Sequence, residues 1–179
     1  MKIIVTGSLG NISKPLTSDL VEKGHSVTVI SSNPERQKSI EASGTKAAIG
    51  TIEDANFLAT TFTGADAVYC MISRNGSLSD HNFDLMVYSS RVANNYKQAI
   101  QQSAIKRMVY LSSIGAHTDK GNGALALYYH MKNVLKEIPS DVAITFMRPV
   151  GFYNNLFFTE YPVACYTGSA RGKGRSYLR

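Results

Sequence analysis

The stretch Thr6-Gly7-Ser8-Leu9-Gly10-Asn11-Ile12-Ser13 joins a run of β-branched residues to a helical pattern. A glycine-bearing junction of this kind suits a phosphate, because small residues let the backbone come close and the N–H groups of a helix start point at the anion. Gly7 is expected to make the tight turn, with Ser8 and Leu9 carrying the loop on. Gly10 is expected to let the main chain approach the pyrophosphate of a dinucleotide. The free N–H groups near Asn11 and Ile12 are expected to bind the anion. Ser13 holds the third small position, where a hydroxyl still permits close packing of helix on strand.

The end of the second strand decides which dinucleotide fits. A carboxylate there would bond the adenosine ribose hydroxyls and repel a 2′-phosphate. This chain instead has Ser31-Ser32-Asn33, with Arg36 three residues on. A guanidinium beside hydroxyls and an amide suits a phosphate dianion, which arginine binds bidentately. The expected cofactor is therefore NADP (NADPH), with NAD less favoured. Gly50, Thr51 and Ile52 after strand three, and Met71, Ile72 and Ser73 after strand four, are expected to wall the adenine and ribose. Ligands of such sheets lie beyond the carboxyl ends of the strands.

A second group of residues points to chemistry. Strand five ends in Val109-Tyr110-Leu111-Ser112-Ser113, and the next helix carries Tyr128-Tyr129-His130-Met131-Lys132. Tyr128 and Lys132 are four apart and share a helical face, where an ammonium can lower a phenol's pKa and also hold a ribose. Such a tyrosine can pass a proton to a carbonyl while hydride arrives from the cofactor. Ser113, or failing it Ser112, is expected to hydrogen-bond the same substrate oxygen. The alternative is that Tyr128 only packs against the sheet and Lys132 only binds ribose.

Positioning these residues requires strands and helices in strict alternation. Strands are predicted at residues 2–6, 26–31, 46–49, 66–71, 107–112 and 142–147, and helices at 12–23, 34–43, 55–62, 80–103 and 123–138. Gly24, Gly44 and Gly64 fall just past helix ends, and Asn33-Pro34 supplies an N-cap followed by the first-turn proline. Short right-handed crossovers between such units give an α/β fold, a Rossmann-like doubly wound parallel sheet of order 3-2-1-4-5-6. Residues 1–158 are expected to form this NAD(P)-binding domain. Residues 159–179 have no apolar period and read as an irregular tail, so a substrate lobe is expected to be missing or abridged.

Composition bounds the alternatives. A chain of 179 residues with 44% hydrophobic content fits one buried sheet with helices on both faces. No stretch approaches the roughly 20 apolar residues of a membrane span, and Met1 leads straight into a strand, so the expected compartment is the cytoplasm and no membrane partner is expected. Cys70 and Cys165 have no metal-ligand spacing, so neither a metal nor a disulfide is expected. The net charge of +6 draws partly on Arg171, Lys173, Arg175 and Arg179, and the rest is scattered. That distribution fits an anionic cofactor and not a nucleic acid.

Three segments together resemble the atypical short-chain dehydrogenase/reductases, specifically the NmrA-like group of NAD(P)-binding proteins and quinone or azo reductases. They are Val5 to Ile12, Val109-Tyr110-Leu111-Ser112-Ser113-Ile114-Gly115-Ala116, and Met147-Arg148-Pro149-Val150-Gly151-Phe152-Tyr153-Asn154-Asn155-Leu156. The likeness covers roughly residues 1–158. It implies that Pro149, Val150, Gly151 and Phe152 pass beside the nicotinamide. It also implies one of two activities: an NADP-dependent oxidoreductase acting on a small carbonyl or quinone-like acceptor, or a catalytically silent sensor of NADP(H) that acts through a regulatory protein partner. A sugar-nucleotide epimerase or dehydratase ranks last, for want of a sugar-binding lobe. The long helix of residues 80–103 is a candidate face for a homodimer.

Overall fold

The computed structural model describes residues 1–73 and 83–152. The expectations for residues 80–82, for Tyr153 to Leu156 and for the tail with Cys165 lie outside the described residues.

Six short runs form one parallel sheet: β1 (Lys2–Val5), β2 (Ser26–Ser31), β3 (Lys46–Ile49), β4 (Ala67–Cys70), β5 (Arg107–Leu111) and β6 (Ala143–Met147). Their order is β3-β2-β1-β4-β5-β6. The register aligns Ile4 with Thr28 on one side and with Val68 on the other, and Val68 with Met108. Because side chains alternate across a strand, β1 to β5 each feed two cores, whereas β6 adds Ile144 and Phe146 to one and exposes its other face. Val5, Val27 and Val29 pack with Ile40 and with the apolar face of α1 (Ser13–Glu22). Ile4, Ile30, Val68, Met108 and Tyr110 meet Leu58 and Phe62 of α3 (Ala55–Phe62), Val92, Tyr96 and Ile100 of α4 (Leu85–Ser103), and Met131 and Leu135 of α5 (Ala126–Leu135). Full burial of one such side chain stabilises the fold by about 1.5–3 kcal/mol.

The helix starts follow capping chemistry. The Asp54 carboxylate accepts from Asn56 N at 2.9 Å and Phe57 N at 3.0 Å, and Asp84 does the same for Met86 N and Val87 N. This cap sets the start of α4 at Leu85, later than the predicted residue 80. At the other ends, Gly24, Gly44 and Gly64 adopt φ of 78°, 78° and 75°. The long α4 closes on Ala104 in the left-handed region, at φ 56°.

Two predicted helices are corrected. Residues 34–43 form a 3-10 turn, Pro34–Arg36, followed by the five-residue α2 (Gln37–Glu41). Ile40 is the buried residue of α2, and so small an apolar face cannot hold a longer helix. Residues 123–138 likewise begin as a 3-10 turn, Gly123–Leu125, because Gly123 takes φ 56°, and α5 proper starts at Ala126. Among the described residues no helix is long and apolar enough to cross a membrane.

Candidate functional site

The sheet changes direction between β1 and β4, and the phosphate-loop residues stand at the carboxyl end of β1. Thr6 is fully buried there and ties the two strands together. Its N–H donates to Tyr69 O at 3.0 Å, and its Oγ1 accepts from Met71 N at 2.9 Å. Ser13 Oγ donates to Thr6 O at 2.7 Å, fixing the first turn of α1 onto the strand end. Gly7 has φ 91°, and a Cβ on it would stand 2.5 Å from both Met71 Sδ and Ser13 Oγ. Ser8 is also left-handed, at φ 54°, with its N–H donating to Ile30 O at 3.1 Å.

Gly10 is different. A Cβ there would meet only Gly7 O, at 3.1 Å, so the protein side of that position is nearly open. No side chain caps α1, and the N–H groups of Asn11 and Ile12 have no acceptor among the described residues. An open glycine face beside orphaned helix-start donors is a fitting cradle for a pyrophosphate.

Next to this loop lies a cavity of about 250 Å³. Gly7, Ser8, Ser31, Ser32, Asn33 and Arg36 line its polar side, and among the described residues that line it there is no carboxylate. Arg36 Nη1 donates to Ser8 Oγ at 3.3 Å, Ser8 Oγ donates to Ser31 Oγ at 3.1 Å, and Asn33 N donates to Ser31 Oγ at 3.2 Å. Asn33 also caps the following turn, its Oδ1 accepting from Glu35 N at 2.9 Å, which swings Arg36 back over the loop.

The expected adenine and ribose wall is brought together in part. Gly50, Ile52 and Ser73 line the cavity, together with Ile30, which sequence reasoning took only as a strand residue. Thr51 turns into its own bend, its Oγ1 accepting from Glu53 N at 3.2 Å. Met71 sits behind Gly7, and Ile72 packs against the core on the α3–α5 side. The absence of a side chain at Gly50 serves packing: a Cβ would fall 2.5 Å from the Phe57 ring. Leu9 likewise packs against the core under α1. Sequence reasoning also missed Tyr88 and Tyr96, whose hydroxyls donate to Ser73 O at 2.5 Å and Met71 O at 2.8 Å and so fix the segment after β4. Their spacing of two helical turns, with Val92 between, was the available signal.

Beyond β5 and β6 the chain keeps its pairing. Ser112 N donates to Met147 O at 2.7 Å and Ile114 N to Pro149 O at 3.1 Å, so Pro149 lies alongside the double serine. Val150, Gly151 and Phe152 then run exposed. Ser112 is buried with its hydroxyl unpartnered, whereas Ser113 is half-buried.

The tyrosine–lysine pair does not behave as the spacing predicted. Burial pushes the Tyr128 phenol up from its usual value, and no lowering by Lys132 accompanies it. Lys132 is 8% exposed, and its ammonium turns to the bend after β5, donating to Ala116 O at 2.6 Å. It also stands 4.7 Å from the centroid of the Tyr129 ring. A buried cation must satisfy its donors, and a carbonyl and a ring face take two of the three here without Tyr128. Burial pushes the Lys132 amine down, helped by the charges of Lys136 and Arg148.

Residues 7–175 match the model of the NAD(P)H-binding family. The chain belongs to that family. No curated protein matches it in sequence. Among solved structures, this NAD(P)H-binding chain is similar to the Citrobacter sp. triphenylmethane reductase complexed with NADP(H), at 16% identity and TM-score 0.69, with 89% of this chain and 53% of that one covered. It is similar to the NADPH-dependent quinone oxidoreductase QOR2 of Escherichia coli complexed with NADPH, at 19% identity and TM-score 0.68, covering 90% and 53%. It is also similar to a putative NAD-dependent epimerase/dehydratase from Bacillus halodurans, at 22% identity and TM-score 0.70, covering 84% and 70%. The chain spans about half the length of the two reductases. What is shared with all three is the fold, the one implied by the resemblance to atypical short-chain dehydrogenase/reductases.

Proposed function

We propose that this NAD(P)H-binding chain prefers NADP(H) and serves hydride transfer to a carbonyl or quinone-like acceptor. The observation that carries the reading is the Arg36–Ser8–Ser31 hydrogen-bond chain at a cavity whose described lining residues include no carboxylate. It favours a 2′-phosphate over bare ribose hydroxyls. The same fold carries an NAD-dependent epimerase/dehydratase by name, so the fold does not choose between cofactors, and Arg36 does. The acceptor class is supported by the two reductases, whose names specify triphenylmethane and quinone chemistry.

Bound, the nicotinamide supplies the hydride. The rest falls to the chain. Asn11 and Ile12 N–H groups hold the pyrophosphate, Arg36 and the Ser31–Asn33 corner hold the 2′-phosphate, and Lys132 holds the nicotinamide ribose. Ser113 or Ser112 orients the substrate oxygen. Tyr128, a phenol protonated at neutral pH although made a weaker acid by its burial, gives the proton. Titrating cofactor fluorescence with NADPH and NADH tests the preference, and Arg36→Glu should abolish or reverse it. Equal affinities in the unmodified chain would overturn the assignment.

One observation favours a second reading. Lys132 engages Ala116 and Tyr129 and leaves Tyr128 unassisted, which suits a silent NADP(H) sensor that works through a protein partner. Quinone turnover by the purified protein separates the two: binding without turnover supports the sensor.

A further inference from the structure

We propose that Tyr129 is a positioning residue for Lys132, its ring face and the Ala116 carbonyl together taking the place of the carboxylate that a buried ammonium ordinarily requires. Taking a cation out of water is unfavourable unless it is compensated. Lys132 is buried, yet the ion pairs among the described residues join Arg91 to Glu53, Lys97 to Glu137 and Lys106 to Asp141, and none involves it. The charged groups acting on it are both positive: Lys136, one turn further along α5, and Arg148, just past β6. Among the described residues, what faces the ammonium is electron-rich but neutral. Ala116 O accepts one N–H at 2.6 Å, and the Tyr129 ring centroid lies 4.7 Å away, inside the roughly 6 Å range of a cation–π contact.

The helix dictates this partner. Tyr129 precedes Lys132 by three residues and so is its neighbour on the helix surface. His130 braces the ring from the side, edge-on at 90° with centroids 5.5 Å apart. An ammonium has three donors, of which Ala116 takes one and the ring face another. One N–H is left for a ligand oxygen, in a direction set by the other two. The inference rests on the proposed function only where cofactor affinity is read. The placement of Lys132 by Tyr129 stands or falls on its own measurement.

The test uses the full chain with Tyr129→Leu, Tyr129→Phe and a series of fluorinated phenylalanines at position 129. Fluorination drains the ring's electron density while keeping its shape, so the series stays informative should the leucine variant fail to fold. The first readout needs no cofactor: the titration of the Lys132 amine, followed by competitive acetic anhydride labelling and mass spectrometry of its peptide. Its midpoint should stay in place in Tyr129→Phe, and move further down in Tyr129→Leu and progressively with each added fluorine. The second readout is NADPH affinity, expected to weaken roughly fivefold in Tyr129→Leu, to be restored by phenylalanine, and to be insensitive to Tyr129→Leu once Lys132→Met is present. Equal behaviour of leucine and phenylalanine, or a labelling midpoint indifferent to fluorine, would overturn the inference. An unmodified chain that does not bind NADPH would overturn the proposed function instead, and the labelling series would still decide the role of Tyr129.

Discussion

Gly7 and Gly10 belong to one loop but answer to different constraints. Gly7 is required by the fold, through its positive φ and the 2.5 Å approach of Met71 and Ser13, whereas Gly10 faces open space apart from Gly7 O. Gly10→Val is therefore expected to leave the unfolding midpoint nearly unchanged while blocking NADPH, measured side by side by calorimetric titration and thermal melting. Unaltered binding would mean that the loop is merely a turn. The motif was legible in the sequence, but which glycine serves the ligand was not, because that depends on Met71, 64 positions from Gly7, folding against it. The same holds for Tyr128 and Lys132. Their spacing was legible, yet the direction of the ammonium was decided by the Ala116 carbonyl, which no pattern of residue types announces. A phenol is protonated at neutral pH in any case, and burial makes Tyr128 a weaker acid than usual, so a donor role rests on its position and not on its pKa. In a protein that turns over, Tyr128→Phe should lower kcat by roughly 10²-fold with NADPH affinity almost intact. Full activity in that variant would leave Tyr128 as packing and leave proton delivery to water.

Among the elements, the strands were the most legible: Lys2–Val5 and Ser26–Ser31 are runs rich in Val, Ile and Thr, and the other four are short apolar stretches between turn or helix ends. The helices were less so at their starts. Asp80 and Asp84 are both competent caps by type, and Asp84 is the one whose carboxylate meets the N–H groups of Met86 and Val87. The contribution of α4 to the site could not be read from its apolar stripe at all, since Tyr88 and Tyr96 look like core residues until their hydroxyls are seen on Ser73 O and Met71 O. Tyr96 is fully buried, so Tyr96→Phe removes a donor and leaves the Met71 carbonyl without that partner. The expected loss is about 1–3 kcal/mol in urea unfolding, accompanied by weaker NADPH binding through the loosened segment after β4. A stability loss with undiminished NADPH affinity would show that α4 supports the sheet and not the site.

On the scale of the whole molecule, the strand order followed from connectivity alone, since short right-handed crossovers leave few ways to join six parallel strands. The chemistry of the core was less apparent, because that core is built around phenols. Tyr69, Tyr88, Tyr96, Tyr110 and Tyr128 are all pushed up by burial, Tyr69 to about 12, and the thiol of Cys70 beside them is raised well above its usual range. Each of these groups is neutral when protonated, so the folded protein keeps protons that the unfolded chain releases above about pH 8.5 for the thiol and about pH 10 for the phenols. Wherever the folded state binds more protons, stability falls as pH rises. The contribution is whole below the unfolded pKa values and is lost as pH climbs through the folded ones. Lys132 runs the other way, its amine held down in the folded state, but it is one group against six. The urea midpoint should therefore be level from about pH 7 to 8.5 and decline between about pH 9 and 12. Absorbance at 295 nm should show these five tyrosines ionising only as the chain unfolds. A midpoint that holds level or rises to pH 11, with these five tyrosines ionising before the chain unfolds, would contradict the phenol-centred core.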